Sequence, residues 1–267
     1  MCELMGLSFA KPIPADFSIR EFALRSEENA DGWGLGWYPD RSLVVVKEPV
    51  QWRGSAYTGF LETYPNLQGR IYIAHVRHKT TGDLPTHADT HPFGRELAGQ
   101  DFCFAHNGTL DGGFWDVPLG RFHPVGDTDS EYLFCHLLDE VAQRPHLLNG
   151  EDDWRWLWDK LAALNRWGKL NCLLSDGRRL FCYHDAAGYK GLHRRAIHIR
   201  DNEVRRFQDA AVTIDLAGES VNHGFVVATR PLSATGWQSF RPGELIVLDG
   251  GVLQFSSDHG AAPAHAE

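Results

Sequence analysis

Short apolar runs rich in β-branched residues recur along the whole chain, and they limit what it can fold into more than any other feature. ELMGLSF (3–9), SLVVVK (42–47), RIYIAHV (70–76), DFCFAH (101–106), GFVVAT (224–229) and ELIVLD (244–249) read as strands. Several have the composition of interior strands, which are buried on both faces and so lose the alternation of a half-exposed strand. LNCLLS and RLFCYH flank Asp176-Gly177 as a predicted hairpin, and a second hairpin is expected to turn near Asp201-Asn202. DFCFAH is expected to end on Asn107-Gly108, a dipeptide with strong turn preference.

Helical signals fall between these runs. Thr128-x-x-Glu131 is a capping box, and apolar residues at 133, 134, 137, 138 and 141 follow it at helical spacing. A further helix is expected over about 152–166, with shorter ones at 16–25 and 54–63. Strands in two groups with helices at intervals point to an α+β layered domain, because two stacked sheets each need an outer cover. The 267 residues suffice for one such domain, expected over 2–255, with 256–267 as a disordered tail.

A formal net charge of −9 and the lack of any Lys/Arg-rich run argue against nucleic acid or an anionic membrane as a partner. A small polar substrate fits better. No apolar run approaches the roughly 20 residues of a membrane span, and no basic lead segment marks an exported chain, so a cytoplasmic address is expected. The five cysteines form no C-x-x-C pair, which points away from a disulfide framework or a zinc ribbon. No cofactor is expected: the glycines of DGWGLG do not fit G-x-G-x-x-G, and DTDSE lacks the glycine and distal glutamate of a calcium loop. His75, His78, His87, Asp89 and His91 crowd one polar segment and make a zinc hydrolase a rival reading, although their spacing matches no metal motif such as H-E-x-x-H.

Cys2 stands apart from the other cysteines by position. Removal of Met1 would leave a thiol and a free α-amine on one carbon, and an amine titrating at about 7.7–8.0 suits a general base at neutral pH. Nucleophile and base would then come from one residue. Arg77, at the end of a strand in HVRHKTTG, can hold a carboxylate with two parallel hydrogen bonds. Asn107 and Gly108 supply a side-chain amide and a neighbouring backbone N–H, the pair of donors an oxyanion hole needs. Asp129 could accept from a substrate ammonium. Singly, each has a structural explanation as a buried thiol, a surface arginine, a turn or a helix-start charge.

Six segments in order, MCELMG, DGWGLGWY, HVRHKTTG, THPF, HNGTL and GDTDSE, resemble class II glutamine amidotransferase domains, most closely the short YafJ-like branch. The resemblance covers essentially the whole chain. It implies an amino-terminal-nucleophile hydrolase fold, a four-layer αββα sandwich of two antiparallel sheets. It implies that Cys2 attacks the amide of glutamine, forms a γ-glutamyl thioester and releases ammonia. On matching positions it implies that Arg77 binds the α-carboxylate and Asp129 the α-amino group, that Asn107 and Gly108 hold the oxyanion, and that His78 and Thr80 line the pocket. The chain departs from the family pattern HTRWATHG by carrying His78 and Thr81, which bears on the shape of the pocket. It also has no room for a synthase domain, so a separate ammonia-accepting subunit is one expectation. The alternative is a stand-alone amidase that cuts the γ-glutamyl amide bond of a peptide or thiol metabolite.

Overall fold

A computed structural model describes residues 2–17, 31–50, 55–64, 67–77, 86–199, 205–208, 213–216 and 222–258. The first sheet contains β1 (Glu3–Phe17), β2 (Trp33–Trp37), β3 (Val44–Glu48), β4 (Gln68–Val76), β9 (His193–Ile199), β12 (Asn222–Ala228) and β13 (Gln238–Ser239), in the order β13-β9-β12-β1-β4-β2-β3. Two short strands, β10 (Arg205–Gln208) and β11 (Thr213–Leu216), pair with each other, and β11 joins the far end of β1. The second sheet runs β15-β14-β8-β7-β6-β5, from β5 (Phe93–Leu97), β6 (Gln100–Leu110), β7 (Gly168–Ser175), β8 (Arg179–Tyr183), β14 (Leu245–Asp249) and β15 (Val252–Ser256). All of these pairings are antiparallel.

Side-chain alternation along each strand sorts the residues into layers. Leu4, Ile71, Ile73, Cys103, Ala105, Leu173, Leu180 and Leu248 meet between the sheets. Met5, Leu7, Phe9, Leu35, Tyr72 and Val226 pack on the opposite face of the first sheet, where Leu61 of α1 (Ala56–Thr63) joins them. Phe102, Phe104, Leu170, Leu174 and Phe181 pack outward from the second sheet against α2 (Asp129–Val141) and α3 (Glu151–Asn165). Burial on both faces accounts for the near-continuous apolar runs. The expected four-layer sandwich of two antiparallel sheets is therefore the architecture observed.

Small residues let the sheets approach near one end. A Cβ on Gly36 would lie 2.8 Å from Cys103 Sγ, and one on Gly34 2.9 Å from Pro92 Cδ, so both glycines of the WGLGW strand are sites of close inter-sheet contact.

Most sequence expectations that fall on described residues hold to within a few residues, and two do not. The helix expected at 16–25 lies outside the described residues except for Asp16 and Phe17, which end β1. The hairpin expected at Asp201-Asn202 is not formed by its flanking strands: β9 pairs with β12 and β13, and β10 pairs with β11. Asn107-Gly108 is not a turn. It lies inside β6, because β7 continues opposite it and supplies the partners Asn171 and Leu170. Ser256 is buried and donates to Glu244, while residues 259–267 lie outside those described.

Candidate active site

Cys2 immediately precedes β1, a strand with neighbours on both sides. Glu3 is paired with Val76 of β4, so the antiparallel register carried one residue further sets Cys2 opposite Arg77. The chain here is fixed from both flanks. Leu4 N–H donates to Thr229 Oγ1 at 2.8 Å, Thr229 N–H donates to the Leu4 carbonyl at 3.0 Å, and the buried Glu3 carboxylate pairs with Arg230. On the other side, Arg77 N–H donates to the Gly32 carbonyl at 2.8 Å. The first residues of the chain are thus held by strand pairing on one flank and by Thr229-Arg230 on the other.

From the second sheet, Asn107 Nδ2 donates to the Cys2 carbonyl at 2.8 Å. That bond crosses between the sheets. It fits the alternation of β6, where Cys103 and Ala105 face the other sheet and Phe102 and Phe104 face the helices. Among the five cysteines only Cys2 is not buried; burial pushes the Cys135 thiol up to about 11 and raises those of Cys103, Cys172 and Cys182 further. Arg77 Nη1 is buried and has no hydrogen-bond partner among the described residues, which leaves a desolvated cation donor beside Cys2.

Asp129 sits in the first turn of α2, where Thr128 caps the helix by accepting from Glu131 N–H at 3.1 Å, as the capping box predicts. Its Oδ2 accepts from Leu110 N–H at 2.7 Å, which ties the helix start to β6 three residues beyond Asn107. His78 and Thr80 lie outside the described residues. The structure thus brings together Cys2, Arg77 and Asn107, and ties Asp129 to the strand that carries Asn107 and Gly108.

His106, part of the HNG segment but given no role from sequence, bridges three elements under these residues. Its Nε2 lies 3.0 Å from the Lys169 carbonyl and its Nδ1 2.9 Å from Ser130 Oγ. A carbonyl only accepts, so Nε2 donates to Lys169, while Nδ1 shares a hydrogen bond with the Ser130 hydroxyl. Gly108 is where this bridge passes closest to the backbone: a side chain there would overlap His106 Nε2 and the Lys169 carbonyl oxygen. Nothing in the sequence signals these contacts except an apolar strand interrupted by polar His106 and Asn107.

Of the histidines behind the zinc reading, His78 lies outside the described residues, His75 pairs with His91, and His87 stands elsewhere. His75 and His91 stack with ring centroids 4.3 Å apart in the buried space between the sheets, whereas Asp89 accepts from Thr86 Oγ1 and Asp127 N–H. His87 lines a separate cavity of about 500 Å³ between β3 and β5, with Lys47, Phe93 and Arg95. No group of three or more His, Cys, Asp or Glu among the described residues is disposed to hold a metal ion. Burial chiefly, with the charges of Arg77, His106 and Lys190, pushes His75 down to about 3.

Two stacked antiparallel sheets under helices, with Cys2 leading into an interior strand, have the fold of amino-terminal-nucleophile hydrolases. The family model for class II glutamine amidotransferases matches residues 1–266, and the chain belongs to that family. An uncharacterized protein of Methanocaldococcus jannaschii is 38% identical over 262 residues, covering 96% of this chain and 72% of its own length. YafJ of Escherichia coli, a candidate glutamine amidotransferase, is 32% identical over 252 residues, 91% of this chain and 96% of that one. Among solved structures, a predicted glutamine amidotransferase from Pseudomonas aeruginosa superposes with a TM-score of 0.67 at 25% identity, over 94% of this chain and 99% of that one. Glutamine phosphoribosylpyrophosphate amidotransferase from B. subtilis gives 0.63 at 19% identity over 96% of this chain and 49% of its own, a likeness of fold. No helix among the described residues is long and apolar enough to cross a membrane.

Proposed function

We propose that the chain hydrolyses the side-chain amide of glutamine through a γ-glutamyl thioester on Cys2. The observation that carries this reading is the Asn107 amide bonded to the Cys2 carbonyl at 2.8 Å, beside the one cysteine that is not buried. With Met1 removed, the Cys2 α-amine takes the thiol proton and Sγ attacks the amide carbon. The oxyanion that forms is met by Asn107 Nδ2 and the Gly108 N–H, and donors of this kind are worth about 10²–10³ in kcat. Collapse breaks the C–N bond, and ammonia leaves with the proton held by the α-ammonium. Water then attacks the thioester, giving its proton to the amine, and glutamate is released as the thiol re-forms.

Arg77 holds the α-carboxylate in this scheme, which would satisfy its orphaned Nη1, and Asp129 holds the α-amino group. His78 and Thr80 line the same pocket. The released ammonia either passes to a separate subunit or is lost to solvent. The second reading, a stand-alone amidase for a γ-glutamyl peptide or thiol metabolite, uses the same steps with an amine in place of ammonia. It is favoured by Lys169, on the strand paired with that of Asn107, and by Lys190, in the loop after β8, both described below.

Intact mass of the active protein should correspond to a chain starting at Cys2. A glutamine-mimicking electrophile should label Cys2, and Cys2→Ala should abolish glutamate release without loss of fold, because Cys2 is not a fully buried residue. Turnover retained by Cys2→Ala overturns the mechanism.

A further inference from the structure

The inter-sheet face of the second sheet does not end at Asn107. Thr109 is paired with Lys169 and Asn107 with Asn171, and strand alternation puts Asn171 on the same face as Leu173 of the inter-sheet core, with Lys169 next along that face. A loop after β8, residues 184–191, is built onto this edge. Its anchor is Asp185, which is buried and accepts from Leu170 N–H at 2.8 Å, Asn165 Nδ2 at 2.8 Å, Ala187 N–H at 2.9 Å and Tyr189 N–H at 3.0 Å. Asn171 closes the attachment, donating to the Tyr189 carbonyl at 2.7 Å and accepting from Asp185 N–H at 3.0 Å. These bonds fix the backbone of Tyr189, and Lys190 follows it directly in the chain.

What the loop displays is positive charge. Lys169 Nζ lies 4.9 Å and Lys190 Nζ 5.1 Å from the centroid of the Tyr189 ring. Neither ammonium makes a hydrogen bond or ion pair among the described residues. Lys190 is also held at φ 57°, a left-handed conformation that costs a non-glycine residue energy and that concentrates at ligand clamps. Both positive charges thus sit against one ring with no carboxylate among the described residues paired to either, and an anion brought to this ring would be attracted by both. Glutamine brings a single carboxylate, which Arg77 answers from the other sheet.

Resting on the thioester reading, we propose that Lys169, Tyr189 and Lys190 form a subsite for a carboxylate on the leaving amine, so that the substrate is a γ-glutamyl peptide. With its α-carboxylate on Arg77 and its amide at Cys2 and Asn107, such a substrate extends its amine portion past Asn171 toward the Tyr189 loop. The amide C–N bond breaks, the amine departs with the proton from the α-ammonium, and the amino acid leaves with its carboxylate on the lysines. Water supplies the new oxygen of glutamate.

The test compares γ-glutamylglycine with γ-glutamylglycinamide, which differ in one carboxylate, and with glutamine, following glutamate release by mass spectrometry. Exposed ion pairs contribute up to about fivefold each, so kcat/KM for γ-glutamylglycine should exceed that for its amide by about tenfold, less at high ionic strength. Lys169→Gln with Lys190→Gln should bring the two peptides to within about twofold of each other, with an unchanged melting temperature certifying the fold. Equal turnover of both peptides by the wild type, or a preference that survives the double substitution, overturns the subsite and leaves the thioester mechanism standing. No glutamate from any of the three compounds overturns both.

Discussion

Gly108→Ala isolates the placement of the proposed oxyanion donors from the chemistry of the nucleophile. A Cβ at this position would lie 2.6 Å from the Lys169 carbonyl carbon, against about 3.5–4.0 Å for carbon atoms at rest, and would overlap the Lys169 oxygen and His106 Nε2 as well. Strand β6 must therefore move from β7 by about 1 Å, carrying the Asn107 amide and the Gly108 N–H with it. A misplacement of that size costs on the order of 10²-fold in rate, and overpacking a filled site adds about 1–3 kcal/mol of destabilisation. Steady-state glutaminase assays should show a drop in kcat near two orders of magnitude. Labelling of Cys2 by the glutamine-mimicking electrophile should persist, since the thiol sits on the other sheet. Gly59→Ala is the control: a Cβ there meets nothing within 4 Å, and the residue lies in α1, where alanine is the better helix former. Wild-type kcat in Gly108→Ala, with the melting temperature lowered as overpacking requires, would refute the placement of the oxyanion hole in β6.

Asn107→Ala should lower kcat by roughly 10²–10³ with little change in KM, whereas Arg77→Ala should raise KM for glutamine more than it lowers kcat, and the two patterns are separated by full saturation curves. Stability should fall with acidification below neutrality through the buried pair His75 and His91. Both are held neutral in the folded chain, with His75 pushed down to about 3, while in the unfolded chain each binds a proton below about 6.5. The unfolded state therefore gains protons first. Stability is lost as pH drops from 6.5, by about 2 kcal/mol at pH 5 for His75, with His91 acting in the same direction. Thermal melts at pH 7 and pH 5 measure this, and a flat profile above pH 5 would count against neutral burial of the pair.

The strands, the capped helix and the layered architecture were legible because each rests on local pattern: apolar runs for β1, β4 and β14, and Thr128-x-x-Glu131 for α2. Cys2, Arg77, Asn107 and Asp129 were legible only as a set of segments in order, since no spacing along the chain states that Asn107 meets Cys2 across 105 positions. Strand partners were not legible. The Asp201-Asn202 hairpin failed because a period of two fixes which face a residue takes and not which strand lies beside it. Asn107-Gly108 has the local chemistry of a turn, and the opposing strand β7 overrode it. The His106 bridge and the Asp185 anchor are networks of buried polar contacts joining elements far apart in sequence. A lone polar residue inside an apolar run, such as Asn171 in LNCLLS, is their one trace in the sequence, because a buried amide needs partners that only the fold can supply.

The bond from Asn107 to the Cys2 carbonyl engages one of the two hydrogens on Nδ2. That bond settles which way the amide dipole points before any substrate arrives, so the orientation is a cost borne in folding rather than at each turnover. In the proposed reaction the second hydrogen is already aimed when negative charge develops, and no solvent-like rearrangement has to accompany that charge. Replacing Asn107 by Asp would reverse the dipole at the same geometry and present an acceptor to an anion. The site's advantage over water would then reside in a direction fixed in advance, more than in the number of groups that line it.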